Sequence, residues 1–518
     1  MSRRESIGLL LVVAAAAALR FVNLPGRGGW GSDQGSMLLD VWNGLRAGRL
    51  PEIGPPASVG AFHHGPMAYI FWAPPAWLGH GDPAYIVAET ALLGVLVVPL
   101  VWWVARSIAG PVAGLVAAYL VAISASQISY STFVWTPTLL QPGAALAILG
   151  TWQAWRSRDP RWWLVAALGI GIVAQTHIAG PLLAIPLVAT YIASLRLRPE
   201  QRRRELRWGA AAAAVIALTA VPYLAYQLGH DFADVRGLVD YLGAPSATPP
   251  LAPPLAVFVV IVRLISWPLT GWPQIAMDSG FLPAIVVAFG VIGGLAFQLR
   301  RARRDRSDDA TPDPDYRDGL VFVLGSLAIL MVAGAIGLKE MSHVQRLPTE
   351  QYHAWADPLA IIAAGVVLGA LWRLSARQRA RTLSRALVVA VLVALTAWNA
   401  ANWPPLDASD GGYAAARSAA TRLESELNGA PVALESLFPP ENTNAYVYPL
   451  TLDGITPVDR SRANVLVLYC DSFFTDGCQG NAEATWLTEH LPGPPPAPID
   501  RIPAGPGRTL SVYRIGNP

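Results

Sequence analysis

Asp33 is the residue best placed by type and position to do chemistry. It lies in Gly-Trp-Gly-Ser-Asp-Gln-Gly (residues 29–35), shortly after the first apolar stretch. A carboxylate there, between glycines and beside Trp30, suits a general base working at a lipid surface. The same residue also suits a helix cap, a position Asp favours. Further on, Phe-His-His-Gly-Pro-Met (62–67) offers His63 and His64. Together with Asp33 they form a candidate set for a divalent metal ion, although the spacing matches no standard ligand pattern. His177, in Gln-Thr-His-Ile-Ala-Gly-Pro, reads either as a cation or as a helix-end histidine bonded to a carbonyl. Residues 339–357 gather the sole lysine, Lys339, with His343, Arg346, Tyr352 and His353. That segment is either an anion-binding set or an ordinary solvated loop.

The elements that must position these residues are membrane helices. The chain has 518 residues, of which 53% are hydrophobic and only 14% charged, against about 25% charge in a soluble protein. Apolar stretches near the length a bilayer requires fall at 6–22, 84–105, 111–125, 138–155, 162–177, 179–195, 208–227, 281–299, 319–338, 357–373 and 386–402. Eleven spans are therefore expected. Between them the positive charge comes in arginine runs: Arg3–Arg4, Arg156/Arg158/Arg161, 196–207, 300–306 and 373–385. Short arginine-rich loops stay on the cytoplasmic side. The rule sets the N-terminus inside and the C-terminus outside, in a cell (plasma or inner) membrane.

Two apolar stretches are read as helices in the outer interface. Residues 66–79 are short and hold Pro74 and Pro75, while 255–270 carry Arg263 at the centre, a costly residue in lipid. The first segment has basic residues and an alanine-rich core, but Arg20, Phe21 and Asn23 follow in place of a small-residue cleavage site, so it reads as a retained helix. The membrane domain is 1–402, with outer loops 23–83 and 228–280. Residues 403–518 lose the apolar runs and gain strand-like segments such as Asn464–Tyr469 and Thr509–Ile515, which predicts a small α/β or α+β extracytoplasmic domain. Both cysteines, Cys470 and Cys478, fall there. An even count in an oxidising compartment favours a disulfide over two free thiols.

This layout resembles the GT-C glycosyltransferases, in particular the dolichyl-phosphate-mannose protein mannosyltransferase and aminoarabinose transferase group. The resemblance covers roughly 1–400. It rests on the retained first helix, the long outer loop with an early Asp33, an H-x-P-like His64-Gly65-Pro66, and a short aromatic helix. Two spans follow around the basic turn 105–110, the second ending in Ser124–Ser131. The family commonly has an acidic pair where this chain has Asp33-Gln34, and His/Lys-Pro-Pro where it has His64-Gly65-Pro66. The resemblance implies an inverting transfer of a hexosyl or pentosyl unit from a polyprenyl phosphate to a lipid, glycan or protein acceptor. It gives Asp33 the role of base and lets Arg346, Tyr352, His177 and Lys339 hold the donor phosphate. His63 and His64 are then acceptor or loop candidates. The alternative class is a transporter or flippase for envelope glycoconjugates, which would place charges within spans along a pathway. No Walker motif or dinucleotide fingerprint occurs, and the basic runs are explained by topology, so no nucleic acid is implied.

Overall fold

The computed structural model describes residues 1–57, 60–244, 253–270, 281–304, 314–336, 350–374, 378–438, 442–472 and 481–515. The first part is helical throughout. Helices α1 (Arg3–Phe21), α2 (Ser32–Arg46), α3 (Met67–Leu78), α4 (Pro83–Ile123), α5 (Ala125–Tyr130), α6 (Leu140–Ser157), α7 (Trp162–Thr176) and α8 (Ala184–Leu197) come first. Then follow α9 (Arg202–Thr219), α10 (Val221–Gly229), α11 (Ala233–Gly243), α12 (Pro253–Thr270), α13 (Phe281–Arg304) and α14 (Pro314–Ile336). A 3-10 turn (Glu350–Ala356), α15 (Asp357–Trp372) and α16 (Gln378–Ala401) complete the bundle.

The 41 residues of α4 would run about 60 Å as one straight helix, twice a bilayer core. The chain breaks at Ala109–Gly110, where Gly110 has φ 82° and ψ −177°, a conformation essentially reserved for glycine. It folds back so that Gly114 packs on Trp102 and Arg106. Both arms lie along α1. Glu5 near its start pairs with Arg106, and Arg20 near its end donates to the Val121 and Ala122 carbonyls. The expected spans 84–105 and 111–125 are thus the arms of one hairpin. Arg20, fully buried, satisfies carbonyls at the end of α4 that have no intrahelical partner.

Among the described residues, six helices are long and apolar enough to cross a membrane, or seven if the bent pair α9–α10 counts as one. The sequence suggested eleven. The difference lies in the fused α4, in the bent pair α9–α10 and in pieces such as α7, with 15 residues. Helices α6 and α7 approach closely because Gly143, Gly150 and Gly169 remove side chains from the contact. The stretch 255–270 forms α12, which packs on α13, α14 and α15 and buries Val260, Leu264 and Ile265. At one end of the bundle Arg156 pairs with Asp315, Arg204 with Asp159, and Arg373 reaches the Ala109 carbonyl. The arginines therefore lace the turn of α4 to the ends of α6, α9, α14 and α15.

The C-terminal part holds α17 (Gly412–Leu427), β1 (Val432–Ser436), α18 (Asn444–Leu452), β2 (Val465–Asp471), α19 (Asn481–His490), β3 (Asp500–Gly505) and β4 (Arg508–Arg514). The sheet order is β1-β2-β4-β3. The β1–β2 pair is parallel and the others antiparallel. Every residue of β2 is buried, which is why it reads as an unbroken apolar run rather than an alternating one. Cys470 near its end is disulfide-bonded; Cys478 lies outside the described residues. One hydrophobic core joins Trp30, Met37, Leu38, Tyr69 and Trp72 to Leu423, Tyr446, Val467 and Leu510. The first loop and the C-terminal sheet therefore fold as one body on top of the bundle.

Candidate active site

The start of α2 is held from several directions. Trp30 donates its indole N–H to the Ala445 carbonyl (2.7 Å) and its backbone N–H to Asp410 (2.8 Å). Arg508, from β4, donates to the Trp30 carbonyl and pairs with Asp410 (3.2 Å) and Asp471 (2.8 Å). Gln34 accepts from the Gly31 N–H (3.1 Å) and donates to the Val134 carbonyl (3.3 Å). Gly35 is glycine because the Asn444 carbonyl lies against its Cα.

Asp33 sits in the first turn of this fixed helix, one residue inside it, while Gly31 holds the cap position. It caps nothing. Its side chain is exposed at one edge and makes no hydrogen bond or ion pair among the described residues. The surrounding protein still removes enough water to raise its pKa above the ordinary Asp value. Two turns further along the same face, Asp40 accepts from Tyr69 (2.8 Å). Burial raises its carboxyl also, opposed by that bond and by His63.

His63 and His64 lie on a short segment paired antiparallel to residues 54–57, with Gly54 N–H donating to the His64 carbonyl (2.8 Å) and His64 N–H to the Pro55 carbonyl (3.0 Å). Successive side chains in extended backbone face opposite ways. His63 turns to Asp234 of α11 (2.9 Å), which also accepts from Gln227 (2.7 Å). His64 turns inward and stacks on His177, with ring centroids 6.0 Å apart. Burial, helped by His63, lowers the His64 pKa to about 4, so the ring is neutral. The metal set Asp33–His63–His64 does not assemble: the two histidines diverge to separate partners. No group of three metal-binding side chains exists among the described residues.

His177 follows α7 and is buried. Its Nδ1 accepts the Ala179 N–H (3.1 Å), which leaves the proton on Nε2. It is a neutral donor rather than the cation the sequence suggested, and its bond is to an amide rather than a carbonyl. Deeper lie His353, whose ring nitrogens find no partner among the described residues, and Arg263, stacked over Trp267 at 5.1 Å. Asp357, at the start of α15, receives Gln127 (2.8 Å) and Gln141 (3.2 Å). Tyr352 falls in the 3-10 turn before α15, while Lys339, His343 and Arg346 lie outside the described residues. Sequence reasoning missed Arg263, Asp357 and Asp40 as members of this region. The signal for the first two was present: ionisable residues within apolar stretches are rare and functional by default.

The helical bundle with its small C-terminal sheet domain has the GT-C glycosyltransferase fold, and the chain is a polytopic membrane protein of that fold. The family model for dolichyl-phosphate-mannose-protein mannosyltransferase matches residues 63–226. ArnT from Cupriavidus metallidurans is similar over 97% of this chain and 97% of its own, at 14% identity. The TM-score is 0.61 for its apo state and 0.57 when bound to undecaprenyl phosphate. The archaeal oligosaccharyltransferase AglB from Archaeoglobus fulgidus, in complex with an inhibitory peptide and a dolichol-phosphate, has 12% identity over 95% of this chain and 72% of its own, with a TM-score of 0.50. No curated protein matches the chain.

Proposed function

We propose that the protein is a membrane glycosyltransferase that moves a sugar from a polyprenyl phosphate to a hydroxyl acceptor on the extracytoplasmic face, with inversion. The arginine-laced end of the bundle belongs in the cytoplasm, and Asp33, His64, His177 and residues 403–518 then lie outside. A phosphate is already a good leaving group, so the reaction needs a base for the acceptor and donors for the departing charge. Asp33 takes the acceptor's proton as the oxygen attacks the anomeric carbon opposite the phosphate. His177 offers an N–H, and Arg346, Tyr352 and Lys339 supply the remaining phosphate contacts. The ArnT structure with undecaprenyl phosphate supports the class of donor. Arg20, a buried charge in α1, is consumed by helix-end carbonyls and so offers no step along a transport pathway.

The observation that carries this reading is the unpartnered Asp33 carboxylate on a helix start that everything around it immobilises. A carboxylate kept for structure would be bonded; this one is kept available. Asp33→Asn preserves shape and removes the base. Transfer in membranes from a polyprenyl-phosphate donor is expected to fall by 10²–10⁴-fold or so, with donor binding unchanged. Normal transfer by that variant would overturn the assignment.

A further inference from the structure

A cavity of about 380 Å³ opens where the loop after α1, the start of α4 and α17 meet. Asp33 does not line it. Leu24, Pro83 and Val87 form its floor, and Trp30 and Tyr413 its aromatic wall. These rings meet edge to face with centroids 4.7 Å apart.

Three charged groups line the cavity, and their partners differ. Arg417 is already paired: Asp453 receives both of its terminal nitrogens (2.6 and 2.7 Å). Arg27 is only 8% exposed, and its Nε donates to the Val22 carbonyl (2.8 Å). Its two terminal nitrogens have no protein partner among the described residues. They are reachable from the cavity rather than sealed in the protein, so this head has donors to offer an anion there. On the rim, Asp82 uses one oxygen to cap α4 through the Ala84 N–H (2.9 Å) and leaves the other available. The cavity thus offers one unspent positive group, one unspent negative group and an aromatic wall suited to an ammonium.

The cavity sits at the ends of two bundle helices, the depth of lipid headgroups. Exposed apolar side chains flank it: Phe21 at the end of α1, Val22 just after it, and Tyr85 at the start of α4. We propose that this cavity is a binding site for the zwitterionic headgroup of a membrane phospholipid of the phosphoethanolamine class, with the phosphate on Arg27 and the ammonium between Asp82 and the aromatic wall. The site is separate from the transfer reaction and stands whether or not that reading holds.

The test uses the full-length protein in detergent, with native mass spectrometry as the readout. The probes are phosphatidylethanolamine, phosphatidylglycerol and inorganic phosphate. Wild type is expected to retain phosphatidylethanolamine roughly tenfold better than phosphatidylglycerol, the ratio of one good ionic contact. Arg27→Gln should lose both lipids about tenfold. Asp82→Asn, which still caps the helix, should erase only the preference. Ser418→Trp, on the exposed side of α17 at the cavity, should block both lipids without lowering the melting temperature of the lipid-free protein. Equal lipid retention by wild type, Arg27→Gln and Ser418→Trp would overturn the proposal. So would a preference for phosphatidylglycerol, or displacement of the lipid by millimolar inorganic phosphate, which would mark a site for a soluble anion.

Discussion

At the scale of single residues, Asp33 is maintained against its own stability. Its folded pKa is raised by burial, so the folded state holds the proton more tightly than the unfolded chain does. Stability is therefore lost as pH rises from the ordinary Asp pKa through the raised one. Asp33→Asn removes that loss. The variant should melt no lower than wild type at pH 7, and higher if anything, with the difference vanishing at a pH below the ordinary Asp range. A thermal melt series across pH checks this, and a lower melting temperature for Asp33→Asn at pH 7 would contradict it. The acid limb of the pH–rate profile should also lie above the usual carboxylate value. Gln34 explains a local departure from the family's acidic pair. It is buried and both accepts from Gly31 and donates to Val134, which an amide can do and a carboxylate cannot. Gln34→Glu removes the donor and sets a carboxylate against a carbonyl, at a cost of about 1–3 kcal/mol. Denaturation of the purified variant measures it; an unchanged midpoint would mean the bond to Val134 carries nothing.

At the scale of elements, the break in α4 decides where α1 can lie. Gly110→Ala puts a Cβ on a backbone conformation that costs of order 1–3 kcal/mol for other residues, with the Arg373 guanidinium 3.3 Å away. We expect lower thermal stability and loss of the Glu5–Arg106 and Arg20 contacts together, since both depend on the two arms lying along one helix. Exposure of a cysteine placed at Ala16, now fully buried, reports the second effect; protection equal to that in a Gly110 background would count against the coupling. Much of this level was legible in the sequence. The apolar stretches at 84–105 and 111–125 are the arms as expected, and the strands at 464–469 and 509–515 exist as β2 and β4. Asp33 was visible because glycines and an aromatic flank an acid at a helix start. Arg263 was misweighted because the cost of an isolated arginine in lipid says nothing of a bundle able to surround it with α13, α14 and α15. The divergence of His63 from His64 was also hidden, since adjacent residues separate only once the antiparallel pairing sets their faces.

At the scale of the whole molecule, the division into residues 1–402 and 403–518 describes the chain but not its packing. The first loop, α2 and α3 share one core with the C-terminal sheet, which sequence could not show because the partners lie hundreds of residues apart. Removal of 403–518 should therefore abolish transfer rather than merely relax specificity, and leave residues 26–46 open to protease. Arg508→Ala is the milder version. It severs the ties to Trp30, Asp410 and Asp471 and should speed hydrogen exchange at the start of α2 while leaving the bundle helices protected. Unaltered exchange at residues 30–36 would refute this coupling.

The contact between Arg508 and Trp30 joins residues 478 apart, and this has a consequence for the making of the protein. A ribosome adds about 5–20 residues per second, so the helix bearing Asp33 emerges roughly half a minute to a minute and a half before the strand that fixes it. During that interval the carboxylate has no settled geometry and no covered core beneath it. The last strand synthesised thus licenses the first loop. A chain cut short before β4 is therefore expected to lack the Arg508 ties to Trp30, Asp410 and Asp471 and to leave the start of α2 unfixed.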